Sequence, residues 1–149
     1  MDVAEVALVA NLAATAVMVG VIWFVQRVHY PLLALVGTDR ASGVALEHQR
    51  RTGQVVGLPM AVEGVSTLVL LVERPVAVSF VWPWAGAVLL AVALGCTIVL
   101  SVPLHSRMAT TPDDAVGRSL VRTNWPRTLA WTMRGAVCVI MLIQVLGGS

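Results

Sequence analysis

The chain has 149 residues, 58% of them hydrophobic and only 12% charged, with a formal net charge of +2. Together with a mean hydropathy of +0.85, this usage excludes an ordinary soluble domain and points to a membrane protein. The small net charge gives no sign of a nucleic-acid partner, and its distribution along the chain is more informative than its sum.

The first apolar run covers about residues 6–25 and is interrupted only by Asn11 and small residues. Its start carries Asp2 and Glu5, where a secretory signal would carry basic residues and a cleavage site, so it reads as a retained helix. Further runs cover about 53–72, 76–100 and 129–146. Each is close to the roughly 20 residues that span a bilayer core. The expected architecture is therefore all-α, an integral membrane four-helix bundle formed by a single domain over residues 1–149. No internal repeat or low-complexity linker is evident.

Between the second and third runs stand only Glu73, Arg74 and Pro75, which makes those two helices antiparallel neighbours. The other two connections are long and fall on the opposite side. Both carry helix signals. Thr111-Pro112-Asp113-Asp114 sets a capping hydroxyl before a first-turn proline and two acids, predicting a helix from 112 to about 123. Asp39 similarly predicts a cap for a helix that passes through His48 and runs straight into the second span.

Orientation follows from arginine, since the chain has no lysine. Arg27, Arg40, Arg50 and Arg51 lie in the first connection and Arg107, Arg118, Arg122 and Arg127 in the third, whereas the other side offers only Arg74. The positive-inside bias places both long connections in the cytoplasm and both termini outside. Trp82, Trp84 and Trp125 suit the two interfacial belts. Cys96 and Cys138 fall inside spans, where a thiol packs as a small hydrophobe, so neither a disulfide nor a Cys-based metal site is expected.

Alternating chain direction brings His29, His48, His105 and the segment 124–127 to one level at the cytoplasmic end. Helical spacing aligns His48, Thr52, Val55, Pro59 and Glu63 on one face of the second span, and Asn124, Arg127, Trp131 and Arg134 on one face of the fourth. Glu63 and Arg134 each lie about ten residues inside a span, roughly 15 Å at the helical rise. An isolated charge there costs at least about 2.5–3.5 kcal/mol, so their matching depth predicts an ion pair. That pair serves either to fix helix register or to hold a proton or a polar substrate.

Imidazole suits zinc, copper and iron, and His29, His48 and His105 with Glu63 would complete a first coordination shell. A b-type haem held by His29 and His105 is a separate option. There is no HExxH, no histidine pair at helical spacing and no CxxCH, so covalent haem attachment is excluded. The alternative for these histidines is hydrogen bonding to lipid headgroups or backbone.

The segment Asn124-Trp125-Pro126-Arg127-Thr128-Leu129-Ala130-Trp131, together with the four-span layout and the proline-marked second helix, resembles uncharacterised bacterial membrane families related in layout to the anthrone-oxygenase-like proteins. The resemblance implies a site that includes Asn124 and Arg127, and oxidation of an aromatic or quinone-like substrate reached from the membrane. It also implies residence in the bacterial cytoplasmic membrane. The segments around His29, Pro59 and His105 have no counterpart in that resemblance.

Two functional readings result. In the first, the protein is a membrane oxidoreductase with a cytoplasm-facing pocket. The three histidines bind a transition metal or haem, Glu63 tunes charge or moves a proton, and Arg127 and Arg134 orient an anionic or carbonyl group. Tyr30 and Trp131 stack on a lipophilic aromatic substrate. In the second, it is a binding, transport or assembly subunit whose buried charges are structural and whose arginines meet anionic lipid. The small residues Gly86, Ala87, Ala91 and Gly95 on the third span allow close packing, either within the bundle or between copies in a homo-oligomer.

Overall fold

The structure, a computed structural model, describes residues 1–33, 35–110 and 114–148, with the backbone alone for Thr38 and Asp114. All regular elements among the described residues are helical: α1 (Val3–Phe24), a π-helical turn π1 (Val25–His29), α2 (Tyr30–Leu33), α3 (Thr38–Val72), α4 (Val81–Cys96), a second π turn π2 (Thr97–Ser101), α5 (Val102–Thr110), α6 (Asp114–Thr123) and α7 (Trp125–Gly147). Four rods result, Val3–Leu33, Asp39–Val72, Val81–Thr110 and Ala115–Gly147, each long and apolar enough to cross a membrane. The protein is a multi-pass membrane protein built as a four-helix bundle.

The acidic start of α1 has a local cause. Asp2 accepts from the Glu5 amide at 2.8 Å and Glu5 reaches back to the Asp2 amide at 3.2 Å, a capping box that satisfies two of the orphan N–H groups of the first turn. At the other end of each span the helix does not stop where the apolar run stops. His29, His48 and His105 therefore sit on rigid helical extensions rather than on loops.

Two boundaries differ from expectation. The third span begins at Val81, not at 76, because residues 76–80 are taken up by turns, the first closing with Val78 N–H on the Pro75 carbonyl at 2.9 Å. Arg74 Nε donates to the Val78 carbonyl at 3.0 Å and Gln144 accepts from the Ser79 amide at 3.0 Å, pinning this turn to the end of α7. The cap of α3 is Gly37 rather than Asp39. Asp39 lies in the first turn, where its charge still favours the helix dipole. The helix expected from 112 appears as α6, and its predicted capping residues Thr111, Pro112 and Asp113 lie outside the described residues.

Around the bundle the long helices follow the order α3, α1, α7, α4. The closing seam between α4 and α3 is the loosest, although a single turn joins them. Three buried clusters fill the interior. One at the turn side includes Leu8, Leu70, Val78 and Met141, and one at mid-height includes Met18, Ile22, Ala93 and Trp131. The third, made by Val25, Tyr30, Leu33, Ala41, Ala45, Met108, Val116 and Leu120, lies under α2, α5 and α6 at the arginine-rich end.

The two halves share a layout that the sequence does not show. Each consists of an apolar helix, a π turn, a short helix and a return helix, so that π1 and π2 stand at the same level on helices of the same direction. Gly86 packs inside the bundle, where a Cβ would come 3.3 Å from Arg134 Nη1. That position serves close packing between helices of one chain.

Candidate functional site

Two polar centres occupy the interior. At mid-bundle, Arg134 Nε meets Glu63 Oε1 at 3.1 Å, with the two side chains 1% and 0% exposed. Thr15 donates to Glu63 Oε1 at 2.7 Å and the Trp131 indole donates to Oε2 at 3.1 Å, so both carboxylate oxygens are engaged. Arg134 Nη2 donates to Thr67 Oγ1 at 2.7 Å and Asn11 Oδ1 at 3.2 Å, and Nη1 donates to the Gly86 carbonyl. Asn11 in turn donates to Ser66 at 2.7 Å and Thr67 at 3.1 Å, and accepts from the Cys138 thiol. A buried charge pair is favourable only when its remaining donors and acceptors are satisfied, and here residues from all four rods satisfy them.

The second centre lies nearer the arginine-rich end, where a cavity of about 270 Å³ opens among α1, α3, π2 and α5. Its walls are apolar, with Met18, Val21, Ile22, Val25, Val56 and Met60 among them, and its polar end is made by Tyr30, His48, His105 and Arg127. The Tyr30 hydroxyl lies 2.8 Å from His105 Nε2, and Arg127 Nη1 donates to Ser101 Oγ at 2.7 Å. The Arg127 guanidinium also lies 5.6 Å over the Trp131 ring, a cation–π contact. His48 stacks on His29 at 4.3 Å between ring centroids and tilts against His105 at 5.0 Å. Its Nδ1 is 3.0 Å from Thr52 Oγ1.

This end of the cavity holds polar atoms without partners. His105 Nδ1 and Arg127 Nε are buried and have no hydrogen bond within the protein, as are His29 Nε2 and Asn124 Oδ1. Buried polar groups are nearly always paired, so each such atom calls for an explanation. His105 Nδ1 and Arg127 Nε belong to residues that line the same cavity.

No protein-family model, curated protein or solved structure matches the chain. The site therefore rests on its own geometry.

That geometry divides the expected residues. Tyr30, His48, His105 and Arg127 come together around the cavity, while His29 stacks behind His48 on the neighbouring groove that Phe24 and Arg51 also line. Glu63 and Arg134 belong to the mid-bundle network and do not line the cavity. Trp131 is fully buried with its indole N–H on Glu63, so it supports Arg127 rather than offering a face to a substrate. Asn124 ties the start of α7 to π1 through Gln26 at 2.9 Å. On α3 the inward stripe is His48, Thr52, Val56, Met60 and Glu63, whereas Val55 is 56% exposed.

The donor set does not fit the expected metal. Among the described residues no group of three or more His, Cys, Asp or Glu is arranged to hold an ion. Glu63 has both oxygens committed to the mid-bundle network, away from the three histidines. Haem between His29 and His105 meets a different obstacle, because the His48 ring packs against both of them. A macrocycle could enter only by displacing it.

Several working residues were not singled out in the sequence. Asn11 was visible as the one amide in the first span, but Thr15, Ser66 and Thr67 look like ordinary small residues of an apolar helix. Ser101 and Gln26 are likewise isolated polar positions. Their common signal is a polar side chain at the depth of another polar side chain on a neighbouring span.

Proposed function

We propose that the protein binds a lipophilic ring compound bearing a carbonyl or anionic oxygen, of the quinone or hydroxyaromatic class, and acts on it as a metal-independent oxidoreductase. The observation that carries this reading is the cavity with apolar walls and one polar end, where Arg127 Nε and His105 Nδ1 lack partners. The apolar walls suit the ring system, and the guanidinium N–H suits an oxygen acceptor. The arginine bias favours placing the polar end at the cytoplasmic face of a bacterial plasma membrane.

The chemistry available here is proton transfer. With the Nε2 proton of His105 donated to the Tyr30 oxygen, Nδ1 is free to accept the proton of a ring hydroxyl, and Arg127 stabilises the resulting oxyanion. Oxidation of a hydroquinone to its quinone then releases two electrons and a second proton. A diffusible acceptor such as dioxygen takes up both electrons and both protons to give hydrogen peroxide.

A second reading, a binding subunit without chemistry, is favoured by the fully satisfied Glu63–Arg134 network, which has the character of a structural brace. Titration of a hydroxynaphthoquinone into the protein in mild detergent, followed by tryptophan fluorescence, tests the binding step. Saturable quenching that weakens at least about tenfold in Arg127→Met, as expected for a lost charged hydrogen bond, supports the site. Absence of saturable binding overturns it. Oxygen uptake with the corresponding naphthohydroquinone separates the readings, because a subunit that only binds consumes none.

A further inference from the structure

The cavity has one structural peculiarity that bears on how a ligand reaches it. Its polar end points toward the arginine-rich side, yet an apolar cluster covers much of that side. Leu33, Ala45, Met108, Val116 and Leu120 from α2, α3, α5 and α6 are all buried there in a single apolar cluster. A ligand arriving through it from the adjoining aqueous phase would have to break this cluster.

The exposed part of the lining lies elsewhere. Among the residues around the cavity, Gln49 and Gly53 on α3 and Val102 at the start of α5 remain exposed, whereas Met18, Ile22, Tyr30 and His105 are buried. Gly53 and Val102 thus form two rims of a lateral mouth. Gly53 opens the apolar run of the second span and Val102 closely follows that of the third, which sets the mouth at the edge of the apolar slab. Met60, also in the lining, lies about 10 Å deeper at 1.5 Å per residue.

Two further features keep this mouth open. It borders the sparsely packed seam between α3 and α4, at the point where α5 takes over the contact with α3. In addition, nothing stands within 4 Å of where a Cβ on Gly53 would be placed. Glycine in a helix interior is unfavourable for the helix itself, and here it leaves the rim without a side chain.

We infer that the ligand enters sideways from the adjoining lipid leaflet, between Gly53 of α3 and Val102 of α5, and slides oxygen-first toward Arg127. The inference rests on the binding reading above and adds the route to it. It assigns the substrate to membrane-resident ring compounds, since the rims of the mouth lie at the edge of the apolar slab.

The test uses the full chain in lipid vesicles, mixed with vesicles preloaded with the hydroxynaphthoquinone, with quenching followed in time. Gly53→Trp and Val102→Trp fill the mouth from opposite rims. Gly53→Ala adds only a methyl group, and Leu58→Trp places the same indole on α3 at a position that does not line the cavity. The expected result is association slowed about tenfold or more in both rim tryptophan variants and by a smaller factor in Gly53→Ala, with Leu58→Trp at the wild-type rate. Wild-type binding with unchanged rates in both rim variants overturns the lateral route alone. Absence of binding by the wild type overturns the binding reading and the route with it.

Discussion

Arg134 and Glu63 meet at 3.1 Å in the middle of the bundle with neither side chain open to solvent. The arginine is also tied to α1, α3 and α4 by its remaining donors, so one side chain joins every rod of the fold. Removing the carboxylate's charge leaves a cation buried without its counterion. Glu63→Gln is expected to destabilise the protein by about 3–5 kcal/mol, read as a fall in thermal midpoint in mild detergent. Adding Arg134→Gln to Glu63→Gln should recover part of the loss, and strict additivity of the two would show that the pair contributes nothing as a pair.

Trp131 carries two contacts that substitution can separate. Trp131→Phe removes the indole donor from Glu63 but keeps an aromatic face under Arg127. It should cost about 1–3 kcal/mol for the unsatisfied carboxylate oxygen while ligand affinity stays within about threefold. Trp131→Leu removes both contacts and should weaken ligand binding as well. Equal affinity in the two variants would show that the ring does not position Arg127.

His105 and Tyr30 are assigned to proton transfer rather than to holding the ligand's ring. Oxygen uptake should fall by about two to four orders of magnitude in His105→Ala, the range for loss of a general base, with quinone binding much less affected. Tyr30→Phe removes the oxygen opposite Nε2 and should lower uptake by a smaller factor. Parallel loss of binding and turnover in both variants would instead make these side chains part of the binding wall.

Chelator treatment provides a separate check on the histidine cluster. Elemental analysis after purification without chelators should show no stoichiometric copper, iron or zinc, and dialysis against a strong chelator should leave oxygen uptake unchanged. Loss of uptake that a single metal restores would mean that the imidazoles rearrange to ligate it.

Hydropathy made the four spans legible because a membrane helix needs about 20 apolar residues in a row, and that demand leaves few alternatives. Depth counting was enough to pair Glu63 with Arg134, since uncompensated charge at that level is too costly to leave alone. Residues 76–80 misled the reading of the third span, because Val76, Val78 and Phe80 are equally apolar in a turn and in a helix. Val55 was placed on the wrong face because it lies three residues from Thr52, whereas the wall follows the four-residue step to Val56. Nothing in the composition of 25–29 or 97–101 marks a π turn, as these segments differ from α-helix in hydrogen-bond pattern and not in residue type. The cavity was illegible for the same reason: it is a product of where helices separate.

A π turn closes its hydrogen bonds one residue later than an α turn and so acts as a single-residue insertion. Everything beyond π1 is thereby set back by about 100° around the helix axis, the angle one residue subtends. Tyr30 follows π1 directly and His105 follows π2 closely, so their hydrogen bond depends on both offsets together. Deleting one residue from Val25–His29 would remove that insertion and leave Tyr30 near its present phase, whereas relaxing π1 to plain α-helix with every residue kept would carry Tyr30 about 100° away from His105. The membrane would accept either helix, but in the second the polar end of the cavity would come apart. In this molecule the phase of two helices, more than the identity of any residue on them, determines whether there is a site at all.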